Sequence, residues 1–370
     1  MATVKLGDIA IEAKSSNKGD KTGIRIVGLE HLTPSNVTLS SWNEDTENTF
    51  TKEFSKGDVL FGRRRAYLKK AAVAPFDGIC SGDITVIRAI EDKVDPDLLP
   101  FIIQNDFLFD FAVGKSAGSL SPRVKWTHLK EFAIELPLMP EQSKLAETLW
   151  SINETKNAYE DLINKTDELV KSQFIEMFGG GANRIKLSSL CSTFVDGDWI
   201  ESKDQSELGI RLIQTGNVGN GFFKDKKDKS RYISEETFDN LHCTEIYPGD
   251  ILVSRLPDPI GRACIIPQGL GRTITAVDCT IIRLKDIILP DYFIAYTMTP
   301  SYAAQINEVT TGTTRRRISR ANLGNILIPC SSIAKQQQFV AIAKQADKSK
   351  FELKQCIEHI DKVIKSLING

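Results

Sequence analysis

Phe54-Ser55-Lys56-Gly57-Asp58-Val59-Leu60 returns 192 residues later as Ile246-Tyr247-Pro248-Gly249-Asp250-Ile251-Leu252. In both places a Gly-Asp turn leads into an apolar run, the pattern of a strand that starts from a tight turn. Working outward, Gly23-Ile24-Arg25-Ile26-Val27 matches Gly209-Ile210-Arg211-Leu212-Ile213. Lys5-Leu6-Gly7-Asp8-Ile9 opens the first half as Lys186-Leu187-Ser188-Ser189-Leu190 opens the second. Gly118, Leu129 and Gln142 match Gly312, Leu323 and Gln336 at a constant offset of 194. The offset grows from 181 through 186 and 192 to 194, as it does when loops lengthen in a second copy. Matches that stay in order along the chain mark a duplication, and a period near 190 residues is far too long for a solenoid repeat.

Each copy has two parts. The first, residues 1–140 and 183–334, holds β-branched runs such as Cys80 to Ile90 and Val277 to Leu284, bounded by Gly, Pro and Asp as strands are. The second, residues 141–182 and 335–370, reads as helix. Residues 141–178 contain no Gly or Pro. Leu145, Ile152, Tyr159, Thr166 and Gln173 lie seven apart, and Leu149, Lys156, Ile163, Val170 and Met177 form a companion series. In the second helix the series are Phe339, Ala346, Leu353, Ile360, Leu367 and Ile342, Ser349, Cys356, Val363. Such a seam suits two long helices packed on each other. The plainer alternative is two amphipathic helices, each lying on its own domain. At about 1.5 Å per residue, 35 residues span roughly 50 Å, too long for the face of one small domain. The expected fold is therefore α+β: two similar globular domains alternating with two long helices that pair as an antiparallel coiled coil about a pseudo-twofold axis. Gly179-Gly180-Gly181 ends the first helix.

The 370 residues are 41% hydrophobic and 26% charged, the balance of an ordinary folded chain. No run of 18 apolar residues occurs, and Met1 to Asp8 carry no basic stretch followed by an apolar one, so neither a membrane span nor an export signal is expected. The seven cysteines are scattered and form no Cys-x-x-Cys, which reads as reduced thiols in the cytoplasm. With four histidines and no His-Glu-x-x-His, no metal site is expected. Residues 1–182 hold 22 Lys+Arg against 27 Asp+Glu, and residues 183–370 hold 25 against 21. A nucleic-acid surface, if present, must come from local clusters or be completed by a partner.

The catalytic motifs are missing. Gly114-Lys115-Ser116 resembles the end of a phosphate loop, but that loop needs a glycine where Phe109 stands. There is no Gly-x-Gly-x-x-Gly after a strand, no Asn-Pro-Pro-Tyr or Asp-Pro-Pro-Tyr, and no Gly-x-Ser-x-Gly. No catalytic residue and no cofactor are expected in this chain.

Features suited to DNA are easier to find. Arg63-Arg64-Arg65 follows the run Val59-Leu60-Phe61, and Arg315-Arg316-Arg317 follows Thr311-Gly312-Thr313-Thr314. In copy one the place of the second cluster is taken by Gly118-Ser119-Leu120-Ser121-Pro122-Arg123-Val124-Lys125, just after Ser116. Glycine and small hydroxyl residues let a backbone approach phosphate, and arginine adds bidentate contacts to phosphate or guanine. A solvated surface triplet is the plainer account of each run, and recurrence at equivalent places favours the functional one. Only Arg255 of Val253-Ser254-Arg255-Leu256 keeps the first cluster in copy two. Gly28-Leu29-Glu30-His31-Leu32 and Gln214-Thr215-Gly216-Asn217-Val218 diverge most between copies. Gln and Asn can bond adenine and Glu can accept from cytosine, so Glu30, His31, Gln214, Thr215 and Asn217 are candidate base readers. Lys224, Lys226, Lys227 and Lys229 could meet phosphates, or lie on a plain exposed loop interrupted by Asp225 and Asp228.

These motifs together resemble the specificity (S) subunits of type I restriction–modification systems. The resemblance covers the whole chain and rests on the duplicated Lys-Leu start, the Gly-Asp-(Val/Ile)-Leu motif, the Gly loop with downstream arginine, and Leu129 to Gln142 and Leu323 to Gln336 leading into long helices. Copy two departs at Ala334-Lys335-Gln336, where copy one has Pro140-Glu141-Gln142. The family implies that each globule is a target recognition domain for one half of a bipartite double-stranded DNA site, and that the helices fix the spacing. It also implies methyltransferase (M) subunits that use S-adenosylmethionine and restriction (R) subunits that use ATP and Mg, leaving the S subunit non-catalytic. At 3.4 Å per base pair, roughly 50 Å is about 15 base pairs. A type IIB specificity subunit with the same architecture, and a coiled-coil scaffold that never meets DNA, are the competing readings.

Overall fold

The computed structural model describes residues 2–44, 47–180, 183–257, 259–312 and 316–369. The chain divides into two compact units, one of residues 1–161 and 353–370, the other of residues 162–352. The division falls within each long helix and leaves its two ends in different units.

In the first unit, Ala10–Glu12, Ile84–Ala89, Val59–Gly62 and Ala71–Val73 form an antiparallel sheet in that order. A second sheet has the order Asn43–Glu44, Arg25–Val27, Gly78–Cys80, Lys52–Phe54, and its one parallel pair joins Arg25–Val27 to Gly78–Cys80. The second unit repeats the plan. Cys191–Asp196, Cys279–Leu284, Ile251–Ser254 and Ala263–Ile265 form the four-stranded sheet. Arg231–Ile233, Ile210–Ile213 and Thr273–Thr275 form the other, and again the parallel pair starts from the Gly-Ile-Arg strand. In both units a short antiparallel pair, Ala2–Lys5 with Ala133–Leu136 and Asn183–Lys186 with Leu327–Cys330, brings the first strand of the copy to its last. Leu6 and Leu187, which follow those first strands, are fully buried. The expected α+β duplication is the observed fold.

The repeated motifs have structural explanations. Asp58 and Asp250 are buried, and each accepts a backbone N–H from three residues back, Ser55 at 2.7 Å and Tyr247 at 2.8 Å. Each also accepts a guanidinium from the neighbouring strand, Arg88 at 2.6 Å and Arg283 at 2.9 Å. Gly57 and Gly249 have φ of +90° and +94°, so the turn before each aspartate requires glycine. The Gln142 carboxamide accepts from the Asp95 N–H at 3.0 Å and donates to the Pro137 carbonyl at 3.0 Å. Gln336 does the same with the Leu289 N–H at 2.9 Å and with the Ile287 and Ser331 carbonyls. Each glutamine therefore fastens the start of a long helix to its own domain.

Those helices run Met139–Phe178, 40 residues, and Ile333–Asn369, 37 residues. In the first unit Lys156 pairs with Asp361 at 2.7 Å, while Leu145 and Trp150 share the core cluster with Ile364 and Ile368. In the second unit Asp167 pairs with Lys350 at 2.6 Å, and Phe174 packs edge-on against Phe339. As one number rises the other falls, so within each unit the two helical segments run antiparallel.

The inward positions correct part of the expected seam. Leu149 and Lys156 are buried and Ile163, Val170 and Met177 half-buried, while Ala146, Asn153 and Phe174 are buried more deeply than the expected companions beside them. Leu145, Ile152, Tyr159, Thr166 and Gln173 are half-buried, as are Ile163, Val170 and Met177. In the second helix Ile342, Cys356, Val363 and Leu367 are exposed, and Ala343, Ile357, Ile364 and Ile368 lie half-buried instead. Lys156 and Lys350 lie in the seam as ion pairs with Asp361 and Asp167. The copy-one globule is filled around Phe61, Phe101 and Phe109, and the copy-two globule around Tyr292, Phe293, Tyr296 and Phe339.

Candidate nucleic-acid interface

In copy one the strand Val59–Gly62 emerges from the core and its last residue can only be small. A Cβ on Gly62 would meet the Lys70 carbonyl at 3.0 Å and Leu29 at 3.1 Å. This close approach sets the turn of residues 28–31 beside the arginines that follow. The Arg63 N–H donates to the Asp83 carbonyl at 3.0 Å, and its own carbonyl accepts from the Val124 N–H at 3.0 Å. Arg65 is held at φ +54° with its N–H on the Pro122 carbonyl at 2.8 Å. A left-handed arginine carries a strain of about 1 kcal/mol, sustained here by that hydrogen bond.

The segment from Ala117 to Arg123 closes as a hairpin, with paired backbone bonds of 3.0 and 2.9 Å between those two residues. Gly118 takes φ +115°, the conformation that keeps this position glycine. Ser119 is exposed, and Leu120 at the tip is 91% exposed. Below the tip, Arg123 places Nε and Nη2 on the two oxygens of Asp83 at 2.6 and 3.2 Å. Arg64 places Nε on Ser121 Oγ at 2.7 Å and Nη1 on Asp83 at 3.4 Å. The Arg123 hydrogen bonds hold the Asp83 carboxyl below its usual range, with Arg64 adding to them against the cost of partial burial. Lys125 and Arg65 are exposed close by in sequence. Ser116 turns inward and donates to the Ala112 carbonyl at 2.8 Å, closing the end of a helix.

Copy two repeats the backbone pairing at the base of this segment. Thr311 and Arg317 exchange backbone bonds of 3.0 and 2.9 Å, and Gly312 takes φ +97°. Thr311 is exposed, and Arg316 reaches Asn307 Oδ1 at 3.3 Å. Thr313, Thr314 and Arg315 lie outside the described residues. Arg255 stands where Arg63 stands. Its N–H meets the Asp278 carbonyl at 2.9 Å and its carbonyl accepts from Ile318 at 3.2 Å.

Three of the candidate readers face inward. Arg255 is buried, with Nη2 on the Val277 carbonyl at 2.6 Å and Asp196 at 3.4 Å, so its guanidinium anchors that segment instead of meeting solvent. His31 is buried, and its Nδ1 accepts from the Gly28 N–H at 2.9 Å, closing the turn that leaves Glu30 exposed. Asn217 is buried, with Oδ1 accepting from the Gln214 N–H at 3.0 Å and Nδ2 donating to the Lys224 carbonyl at 2.9 Å. The residue types suit base recognition, but Asn217 and His31 Nδ1 are bonded within their own turns and Arg255 is buried against Val277, Ile318 and Asp196. Gln214 and Thr215 remain accessible beside that turn.

Two further residues belong to the site. Gln214, Lys226, Lys229 and Arg231 line one cleft, a convergence of cations that brings Arg231 to two of the lysines. Arg262 ties the turn from beneath, donating to the carbonyls of Val218 at 2.7 Å and Thr215 at 2.9 Å and to those of Pro257 and Pro259. Nothing in the sequence near Arg262 signals this, since its partners lie up to 47 residues away. Burial pushes the Cys80, Cys191 and Cys264 thiols up to about 12, so none of them is a thiolate at neutral pH.

No described helix is long and apolar enough to cross a membrane. The model of the type I restriction modification DNA specificity domain matches this chain twice, over residues 1–168 and 183–362. The type I restriction enzyme EcoDI specificity subunit of Escherichia coli is 29% identical over 146 residues, which cover 36% of this chain and 31% of that relative. Among solved structures, a chain of a type I R-M system aligns over 99% of this chain and 96% of its own length, with a TM-score of 0.62 at 19% identity. The type I restriction-modification S subunit from M. genitalium aligns over 100% and 96%, with a TM-score of 0.51 at 14% identity. Both structural likenesses bear on the fold, and the family match bears on the lineage. With two copies of the domain in tandem, the chain belongs to the family of type I restriction modification DNA specificity domains.

Proposed function

We propose that this chain is the sequence-reading subunit of a type I restriction–modification enzyme, in which each globular domain reads one half of a bipartite, asymmetric DNA site. The observation that carries the reading is the recurring backbone pairing. In both copies a left-handed glycine, Gly118 or Gly312, directly follows the first residue of a backbone pair that an arginine, Arg123 or Arg317, closes. Such a loop can bring backbone and guanidinium to a duplex together. The flanking turns differ in chemistry, with Glu30 exposed in one copy and a cleft of Gln214 with three cations in the other, which suits two unlike half-sites.

The direct contacts fall to Glu30, Arg64, Arg65, Ser119, Arg123, Lys125, Gln214, Thr215, Thr311, Gly312, Arg316 and Arg317, and to Thr313, Thr314 and Arg315, which lie outside the described residues. Arg63, Arg255, His31, Ser116 and Asn217 act by shaping the loops that carry them. The long helices hold the half-sites at a set spacing, because a helical rod is stiff where a Gly/Ser linker is not, and they dock the M subunits. Methylation with S-adenosylmethionine belongs to the M subunits, and ATP- and Mg-dependent movement and cleavage belong to the R subunits. This chain performs no bond-making step, and the assembly works in the cytoplasm.

Base-resolution mapping of N6-methyladenine in a host carrying this gene and its M partner tests the reading. A two-part motif with a fixed non-specific spacer is expected. Methylation at a single continuous motif, or none above a host lacking this gene, overturns it.

A further inference from the structure

Asp83 sits between two arginines that sequence separates from it by 19 and 40 residues. Its side chain is 20% exposed, whereas those of Arg64 and Arg123 are 39% and 44% exposed. The carboxylate takes the Nε and Nη2 side of the Arg123 guanidinium. A guanidinium has five N–H donors in a fixed plane. With that side occupied, the Nη1–Nη2 end points away from the carboxylate, and its direction is set by Asp83, not by a flexible side chain. A paired donor edge of this kind matches the O6 and N7 acceptors of guanine. It is poorly suited to a purely electrostatic phosphate contact, because Asp83 offsets the charge that such a contact uses. The sequence of copy two departs from this arrangement. Asp278 stands at the place of Asp83 and Arg317 at that of Arg123, but Leu256 replaces Arg64.

We propose that Asp83 is a positioning residue that fixes Arg123 as a guanine-reading fork, and that this fork specifies one base of the copy-one half-site. The proposal rests on the functional reading above. It deepens that reading by naming a base class and the residue that orients its reader.

The test uses the full chain assembled with its M partner and compares methylated sites for wild type, Asp83→Asn, Arg123→Lys and Arg123→Ala. In wild type, one half-site carries an obligatory G·C pair at a fixed position. In Asp83→Asn and in Arg123→Lys, which keeps the charge but removes the fork, discrimination at that position falls by about ten- to a hundredfold. The other half-site and the spacer stay unchanged in the same molecules, which also reports that the variants are folded. Arg123→Ala relaxes the same position. An unchanged motif in Asp83→Asn, or full selectivity in Arg123→Lys, overturns the proposal. So does a uniform fall in methylation across all sites with a shallower salt dependence, which marks a phosphate contact. A wild-type assembly with no bipartite motif overturns the functional reading, and the proposal with it.

Discussion

Lys156 Nζ lies 2.7 Å from Asp361 Oδ1, with the lysine side chain only 7% exposed. The pair has a twin. Lys350 meets Asp167 at 2.6 Å, and Lys350 and Asp361 stand at the positions equivalent to Lys156 and Asp167 at the repeat offset of 194. Duplication thus placed a lysine and an aspartate on each helix, and each lysine is answered by the aspartate of the other helix. Polar residues inside a helical seam are best known for fixing register. A slip of one heptad would set Lys156 against Lys354 in one direction and against Ile368 in the other.

Removal of the aspartate is therefore costly where removal of the lysine is not. Asp361→Ala leaves Lys156 enclosed without its counter-ion and is expected to destabilise the chain by about 2 kcal/mol, below the range for a fully buried pair because Asp361 is 40% exposed. Lys156→Met should lie within about 1 kcal/mol of wild type. Urea denaturation followed by circular dichroism measures both, and an Asp361→Ala variant as stable as wild type would remove the pair from the structural account.

The two glutamines at the helix starts make a matched test of the duplication. Gln142→Ala strands the Asp95 N–H and Gln336→Ala strands the Leu289 N–H, each at a cost of about 1–3 kcal/mol. Amide hydrogen exchange should quicken at Asp95 in the first variant and at Leu289 in the second. Faster exchange at neither site would show that other groups fasten the helices.

The copy-two segment should carry salt-dependent affinity. Replacing Arg315, Arg316 and Arg317 with Ala is expected to weaken DNA binding by the M–S assembly and to lower the salt slope by about 1 for every phosphate left unbound. Binding that follows the wild-type curve through a salt series would take this loop out of the interface.

Lengthening both long helices by seven residues adds about 10 Å, close to three base pairs. The methylated motif should keep both half-sites and gain about that much spacer. Methylome sequencing decides it, and an unaltered spacer would refute the ruler role of the helices.

Asp83 should contribute to stability at neutral pH. Its carboxyl is held below the ordinary value by Arg123 and Arg64, so the folded state binds its proton less readily than the unfolded chain does. The contribution is full above the ordinary carboxylate pKa near 4 and fades as the pH falls through the lowered folded value. The stability difference between wild type and Asp83→Asn should therefore be largest at neutral pH and shrink in acid. A difference that grows on acidification contradicts the ion-pair geometry.

The amino-acid order by itself determined the duplication, the β-rich and helical parts of each copy, and the glycine loops. These depend on short-range signals: a Gly-Asp turn, a β-branched run, a stretch without Gly or Pro. The repeated Gly-Asp and Gln positions were legible too, as motifs, although their duties were not. Tertiary structure decided which polar atoms remain available to DNA. His31, Asn217 and Arg255 have the right chemistry in sequence, yet all three are buried, with His31 Nδ1, the Asn217 carboxamide and Arg255 Nη2 bonded to backbone groups. It also decided the seam, because Lys156 looks like a break in an apolar series until Asp361, 205 residues away, neutralises it. The same holds for Asp83, an ordinary turn residue in the chain that becomes the hub of two arginines once the sheet and the hairpin meet. Local pattern encodes elements, whereas burial and charge pairing depend on neighbours that only folding supplies.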